Sequence, residues 1–119
     1  MKSSEFRDLV VWQKAMDLTV MVYNMVKLLP RDETFGLSDQ IRRAAVSVPS
    51  NIAEGQGRVT SKEFIRFLSM ARGSLWELST QIELCERLHY LDKNQTAPIH
   101  SKIIEIAKMI NALSKSISD

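Results

Sequence analysis

The sequence predicts an all-α protein: an antiparallel, up-and-down, left-handed four-helix bundle whose second helix is kinked at Pro49. Three observations predict it. Apolar residues recur at alternating spacings of four and three along three long segments, the connections between segments are short and polar, and no segment alternates like a strand. A repeat of about 3.5 residues keeps an apolar seam against its neighbours only where helices cross at a shallow left-handed angle.

In the first segment Val11, Ala15, Leu18, Val22, Met25 and Leu29 form the seam, and Pro30 ends it because proline cannot continue the hydrogen-bond ladder. The third segment opens on Thr60-Ser61-Lys62-Glu63. In such a capping box the hydroxyl and the carboxylate satisfy each other's free backbone donors. Its seam is Phe64, Leu68, Ala71, Leu75, Leu78, Ile82 and Cys85, and a helix from Thr60 to Tyr90 would be on the order of 45 Å long. The fourth opens near Thr96 to Pro98 and carries Ile99, Ile103, Ile106, Ile110, Leu113 and Ile117.

The second segment is irregular. It begins with Leu37, Ile41, Ala44 and Val48, then meets Pro49. An internal proline removes one backbone donor and clashes with the carbonyl four residues back, here that of Ala45. The expected result is a kink with a free carbonyl. Gly55 and Gly57 are expected to make the turn into the third helix. A stretch that breaks local rules can also mark a functional face, which makes Ser47, Pro49, Ser50, Asn51 and Glu54 candidates.

The 119 residues, 45% hydrophobic and 25% charged, suit one domain spanning 1–119 of an ordinary soluble protein. Cys85 is the sole cysteine, so neither an internal disulfide nor a cysteine-built zinc site is open to the chain. The first eight residues hold no apolar leader, and no apolar run approaches the roughly 20 residues of a membrane helix. The expected setting is the cytoplasm, with no membrane contact.

Catalysis finds little support. Glu86 and His89 form a Glu-x-x-His on one helix face, but a two-metal carboxylate site needs a second such motif and two more inward glutamates. His100 has no glutamate three residues before it. Cys85 lies on the apolar seam, where a thiol is poorly ionised. The serines lack a histidine partner, and Gly55-Gln56-Gly57 is no phosphate loop. No metal, cofactor, small-molecule substrate or enzymatic activity is expected.

Charge is more informative by position than in total. Net charge is +2, yet Gln40 to Leu75 holds six basic residues (Arg42, Arg43, Arg58, Lys62, Arg66, Arg72) against two acids, Glu54 and Glu63. Each flank carries five basic and six acidic groups. On the third helix Lys62, Arg66, Ser69, Arg72, Gly73 and Trp76 fall within an arc of about 120° opposite the seam. Arginines with one aromatic can contact phosphates while the ring stacks on a base, and the same face would also serve a subunit interface. Gly73 costs a helix interior about 1 kcal/mol relative to alanine, which points to a close helix crossing within or between chains.

Three stretches carry a family resemblance: Asp8-Leu9-Val10-Val11-Trp12-Gln13-Lys14-Ala15, the run from Gln40 to Gly55 (QIRRAAVSVPSNIAEG), and Phe67-Leu68-Ser69-Met70-Ala71-Arg72-Gly73-Ser74-Leu75. In these the chain resembles the bacterial four-helix-bundle proteins encoded in 23S rRNA intervening sequences, over most of residues 5–91. The resemblance implies a bundle assembled as a ring, typically a pentamer, with a nucleic-acid role. It carries over Arg42, Arg43, Ser47, Asn51, Glu54, Arg58 and Arg72 as functional or interface positions, and no catalytic residue.

The leading expectation is a non-catalytic, ring-forming homo-oligomer that binds RNA or DNA backbone through Arg42, Arg43, Arg58, Lys62, Arg66 and Arg72. Repetition around a ring multiplies a modest basic patch. Ser47, Pro49, Asn51, Glu54, Gly73 and Trp76 are its kink and interface candidates. The alternative is an oligomeric scaffold for another protein, in which Arg42 or Arg43 pairs with Glu54 or Glu63 across subunits.

Overall fold

The computed structural model describes residues 5–118, so the first four residues and the last residue of the expected 1–119 domain lie outside it. Four helices, α1 (Val10–Val26), α2 (Leu37–Gln56), α3 (Ser61–Arg87) and α4 (Lys93–Ser118), form a bundle 47 × 23 × 19 Å. Short 3-10 turns at Phe6–Asp8 and Arg31–Glu33 precede α1 and α2, and no strand occurs among the described residues. Helices α1 and α3 each pack on both α2 and α4 and do not meet each other. Arg72 on α3 reaches Asn111 on α4, and Glu86 meets His100, so residue numbers rise on one helix as they fall on the other.

The predicted seams form the core. Val11, Ala15, Leu18, Val22, Met25 and Leu29 are buried, as are Leu68, Ala71, Leu75, Leu78, Ile82 and Cys85, and Ile99, Ile103, Ile106 and Ile110. Phe64, Leu113 and Ile117 pack against this core half-buried, because they lie near helix ends where fewer neighbours cover them.

The boundaries differ from expectation in ways the caps explain. α1 ends at Val26, ahead of Pro30: the Leu28 and Leu29 N–H groups close tight turns onto Met25 and Val26 carbonyls, and Pro30 instead leads the 3-10 turn. The Thr60 hydroxyl accepts from the Glu63 N–H at 3.1 Å, but the Glu63 carboxylate pairs with Arg66, so the capping box is one-sided. α3 stops at Arg87 because His89 adopts φ 63°, which turns the chain and lets the Tyr90 and Leu91 N–H groups donate to the Cys85 carbonyl. α4 starts at Lys93, earlier than Thr96. A reciprocal box caps it: the Gln95 N–H donates to Asp92 Oδ1 and the Asp92 N–H to Gln95 Oε1, each at 2.9 Å.

α2 runs through Pro49 to Gln56, so Gly55 is helical and not part of the turn. The carbonyl that Pro49 leaves free is not orphaned: Thr19 Oγ1 on α1 donates to the Ala45 carbonyl at 3.2 Å while also reaching Ala15 at 2.8 Å. The tight crossing assigned to Gly73 lies elsewhere. A Cβ on Gly73 would meet nothing within 4 Å, whereas one on Gly55 would lie 2.7 Å from Phe67 Cβ and 3.0 Å from Phe64 Cδ1. Gly55 is the residue that lets α2 and α3 touch.

Candidate nucleic-acid interface

The six basic residues singled out in the sequence do not converge on one strip. Arg43 lies on the outer face of α2 and donates to Asp39 Oδ2 at 3.0 Å, one turn earlier on the same helix. Arg58, just past the end of α2, pairs with Glu54 at 2.6 Å. Arg66 pairs with Glu63 at 3.2 Å, and this contact lowers the Glu63 carboxyl below its usual range and raises Arg66. The guanidinium groups of Arg58 and Arg66 also lie 4.7 and 4.8 Å from the centre of the Phe67 ring. Two cations, two carboxylates and a buried ring therefore fasten the α2–α3 end of the bundle. An exposed pair holds its guanidinium only weakly. The adjacent carboxylate nevertheless cancels most of its field at a distance, so these three arginines add little attraction for a polyanion.

Three cations remain without a carboxylate partner. The Lys62 ammonium is exposed and makes no hydrogen bond or ion pair, although it adds to the field that lowers the Glu63 carboxyl. Arg72 is half-buried and donates to the neutral Asn111 Oδ1 at 2.6 Å, which turns it from the expected arc toward α4. Arg42 is half-buried at the far end of α2, where it donates to the Thr34 carbonyl at 3.2 Å. Ser69, Gly73 and Trp76 do face outward on α3, and Trp76 is 49% exposed.

The kink candidates are mostly engaged locally. The Ser47 hydroxyl donates to the Ala44 carbonyl, and the Asn51 amide donates to the Ser47 carbonyl at 2.8 Å. Both bonds cover carbonyls beside Pro49, as a polar side chain near an interrupted ladder should. Glu54 and Glu63, offered as partners for a neighbouring subunit's arginines, are taken within the chain by Arg58 and Arg66.

A polar cluster between α3 and α4 escaped the sequence reading. Glu86 does not face His89. Its Oε2 accepts from the Thr96 hydroxyl at 2.6 Å and lies 2.9 Å from His100 Nε2. The Thr96 hydrogen bond, then that of His100, holds the Glu86 carboxyl below its usual range. The missed signal was the Asp92–Gln95 box, which puts Thr96 and His100 on the first turns of α4, opposite Glu86. At the same end the Glu33 carboxylate accepts from the Leu37 N–H and the Tyr90 hydroxyl, tying the α1–α2 connection to the α3–α4 connection. Burial pushes the Cys85 thiol up to about 11, far from a nucleophile's range. Among the described residues no three histidine, cysteine or carboxylate side chains cluster as metal ligands.

The model of the 23S rRNA-intervening sequence proteins matches residues 7–112, which takes in α1, α2 and α3 whole and most of α4. The chain belongs to that family. A solved structure similar to this chain is that of a protein of unknown function from the S23 ribosomal protein family of Bacteroides thetaiotaomicron. It is 28% identical, and the alignment covers 88% of this chain and 98% of that one with a TM-score of 0.82. A search of curated proteins gave no match. Among the described residues no helix of this intervening-sequence protein is long and apolar enough to cross a membrane.

Proposed function

We propose that this intervening-sequence protein is a non-catalytic cytoplasmic subunit that assembles into a ring, pentameric as the resemblance implies, and binds nucleic-acid backbone. The supporting observation is the division among its six central cations. Arg43, Arg58 and Arg66 are ion-paired with neighbouring carboxylates, whereas Arg42, Lys62 and Arg72 make no ion pair. Those three carry the attraction for phosphates, and a ring repeats them around its circumference. No cofactor enters this reading.

Fluorescence-anisotropy titration with single-stranded RNA and duplex DNA at several salt concentrations tests it. Replacing Arg42, Lys62 and Arg72 together by glutamine should weaken binding and flatten the plot of log affinity against log salt by roughly 2 units. An unchanged slope removes these residues from the interface. Light scattering that returns a monomer mass removes the ring.

A protein-binding scaffold is the second reading, favoured by the apolar surface of α1 and α2. Met16, Val20 and Tyr23 on α1 and Val46 on α2 are exposed. Trp12, Met16, Val46, Pro49 and Ala53 line a groove of about 350 Å³ between the two helices. Absence of nucleic-acid binding even at low salt would leave this reading in place.

A further inference from the structure

A cavity lies at the connection between α1 and α2, away from the α3 face. It measures about 590 Å³, and its wall includes Tyr23, Lys27, Pro30, Arg31, Ser38 and Arg42. Three of these are cations, and no carboxylate lines it. Arg42 is fixed by its bond to the Thr34 carbonyl, while the Lys27 ammonium and the Arg31 guanidinium make no hydrogen bond or ion pair. The other arginines near carboxylates behave differently: Arg7, Arg43, Arg58, Arg66 and Arg87 each pair with one. Like charges left together without a counter-ion repel, so a cavity of this kind is stabilised by an anion.

A second, independent observation concerns Ser38. Only 4% of the residue is exposed, its side chain lines the cavity, and its hydroxyl has no hydrogen-bond partner within the chain. The hydroxyl is not sealed from solvent but opens to the cavity, where it is free to donate to a ligand acceptor. Ser38 is also the second residue of the twenty-residue α2, so the positive end of that helix opens beside the same space. The Glu33 carboxylate of this connection is engaged by the Leu37 N–H and the Tyr90 hydroxyl and does not line the cavity.

We propose that this cavity binds a terminal phosphate group, free or as a monoester, with Lys27, Arg31 and Arg42 around its oxygens and the Ser38 hydroxyl donating to one of them. Three cations match the charge of about −1.5 to −2 that a monoester carries near neutral pH better than the single charge of a backbone diester. The ligand is inorganic phosphate, a nucleotide, or the 5′-phosphate of a nucleic-acid end. The site shares Arg42 with the proposed backbone interface but requires neither a polynucleotide nor a ring.

The test is an amide-shift NMR or calorimetric titration of the full chain with inorganic phosphate, with adenosine monophosphate, and with one oligonucleotide bearing either a 5′-phosphate or a 5′-hydroxyl. Saturable binding of phosphate or the nucleotide, with shifts centred on residues 27–42, supports the site. Preference for the phosphorylated oligonucleotide assigns it to nucleic-acid ends, and preference for the nucleotide assigns it to a free ligand. Arg31→Gln should weaken binding about tenfold or more, and Ser38→Ala about threefold, with thermal melts showing both variants folded. Arg87→Gln, at a residue that does not line the cavity, should leave affinity unchanged. No saturation by any of these probes at low salt overturns the proposal. So does unchanged affinity in the Arg31 and Ser38 variants, or equal weakening by Arg87→Gln. Loss of oligonucleotide-backbone binding with phosphate binding retained would overturn the interface reading alone.

Discussion

Two glycines on adjacent helices should respond to the same substitution with opposite sign. At Gly73 an added Cβ meets nothing within 4 Å, so Gly73→Ala brings only the gain in helix propensity, about 1 kcal/mol. At Gly55 the same methyl would stand 2.7 Å from Phe67 Cβ and 3.3 Å from the Phe64 carbonyl. Neither is the free end of a flexible side chain, so α2 and α3 must move apart. Overpacking of this kind costs about 1–3 kcal/mol, and where separation also loosens the Phe67 contacts the upper half of that range applies. After the propensity gain, Gly55→Ala should be destabilising by about 1–2 kcal/mol net. Urea unfolding followed by circular dichroism, with each variant measured at two protein concentrations, separates subunit stability from assembly. A Gly55→Ala protein as stable as the parent would refute the assignment of the α2–α3 crossing to this residue. A destabilised Gly73→Ala variant would show that its surroundings are not open.

Three further outcomes are expected. Thr19→Val keeps the side-chain shape but leaves the Ala45 carbonyl beside Pro49 without its donor, and should lose about 1–2 kcal/mol in urea unfolding; no loss would mean water serves that carbonyl equally well. His89→Gly relieves a non-glycine residue at φ 63° and should raise the thermal midpoint, by an amount near 0.5–1 kcal/mol, whereas a lower midpoint would assign His89 a contact beyond its backbone role. Glu86 has a folded pKa depressed chiefly by Thr96, so its stabilisation is present above the ordinary carboxylate value of 4.5 and fades as pH falls through the folded value. The urea midpoint of Glu86→Gln should therefore fall less than that of the parent between pH 6 and pH 3, and parallel decline in the two proteins would exclude the carboxylate as a contributor.

The helices were legible in the sequence because each seam repeats over several turns, and a long periodic pattern outweighs any single residue. Their ends were less legible because caps depend on few residues. The Asp92-x-x-Gln95 box reads as readily as Thr60-x-x-Glu63, yet Thr96 and Pro98 drew the boundary three residues late. Pro49 correctly announced a free carbonyl at Ala45, but its donor, Thr19, lies on another helix and 26 residues away. Glycine showed the sharpest limit. Composition flags both Gly55 and Gly73, and only packing reveals which one sits under a neighbour. The basic patch misled for a related reason: a count of charges cannot see that Asp39, Glu54 and Glu63 stand within reach of three of its arginines. Lys27 and Arg31 were passed over because they lie in a flank of net negative charge, where position in space, and not the local sum, leaves them free of carboxylates.

The contact at Gly55 also bears on the order in which the chain folds. α2 and α3 are separated by four residues and meet at Gly55 and Phe67, twelve positions apart, so their pairing closes a short loop at small entropic cost. The seam between α1 and α4, where Lys14 meets Glu105 at 3.0 Å, instead requires segments from nearly opposite ends of the chain to find each other. Folding is therefore expected to begin in the central hairpin and to finish with α4 docking onto α1. A change at Gly55 should slow the folding rate itself, while a change at the Lys14–Glu105 contact should chiefly hasten unfolding.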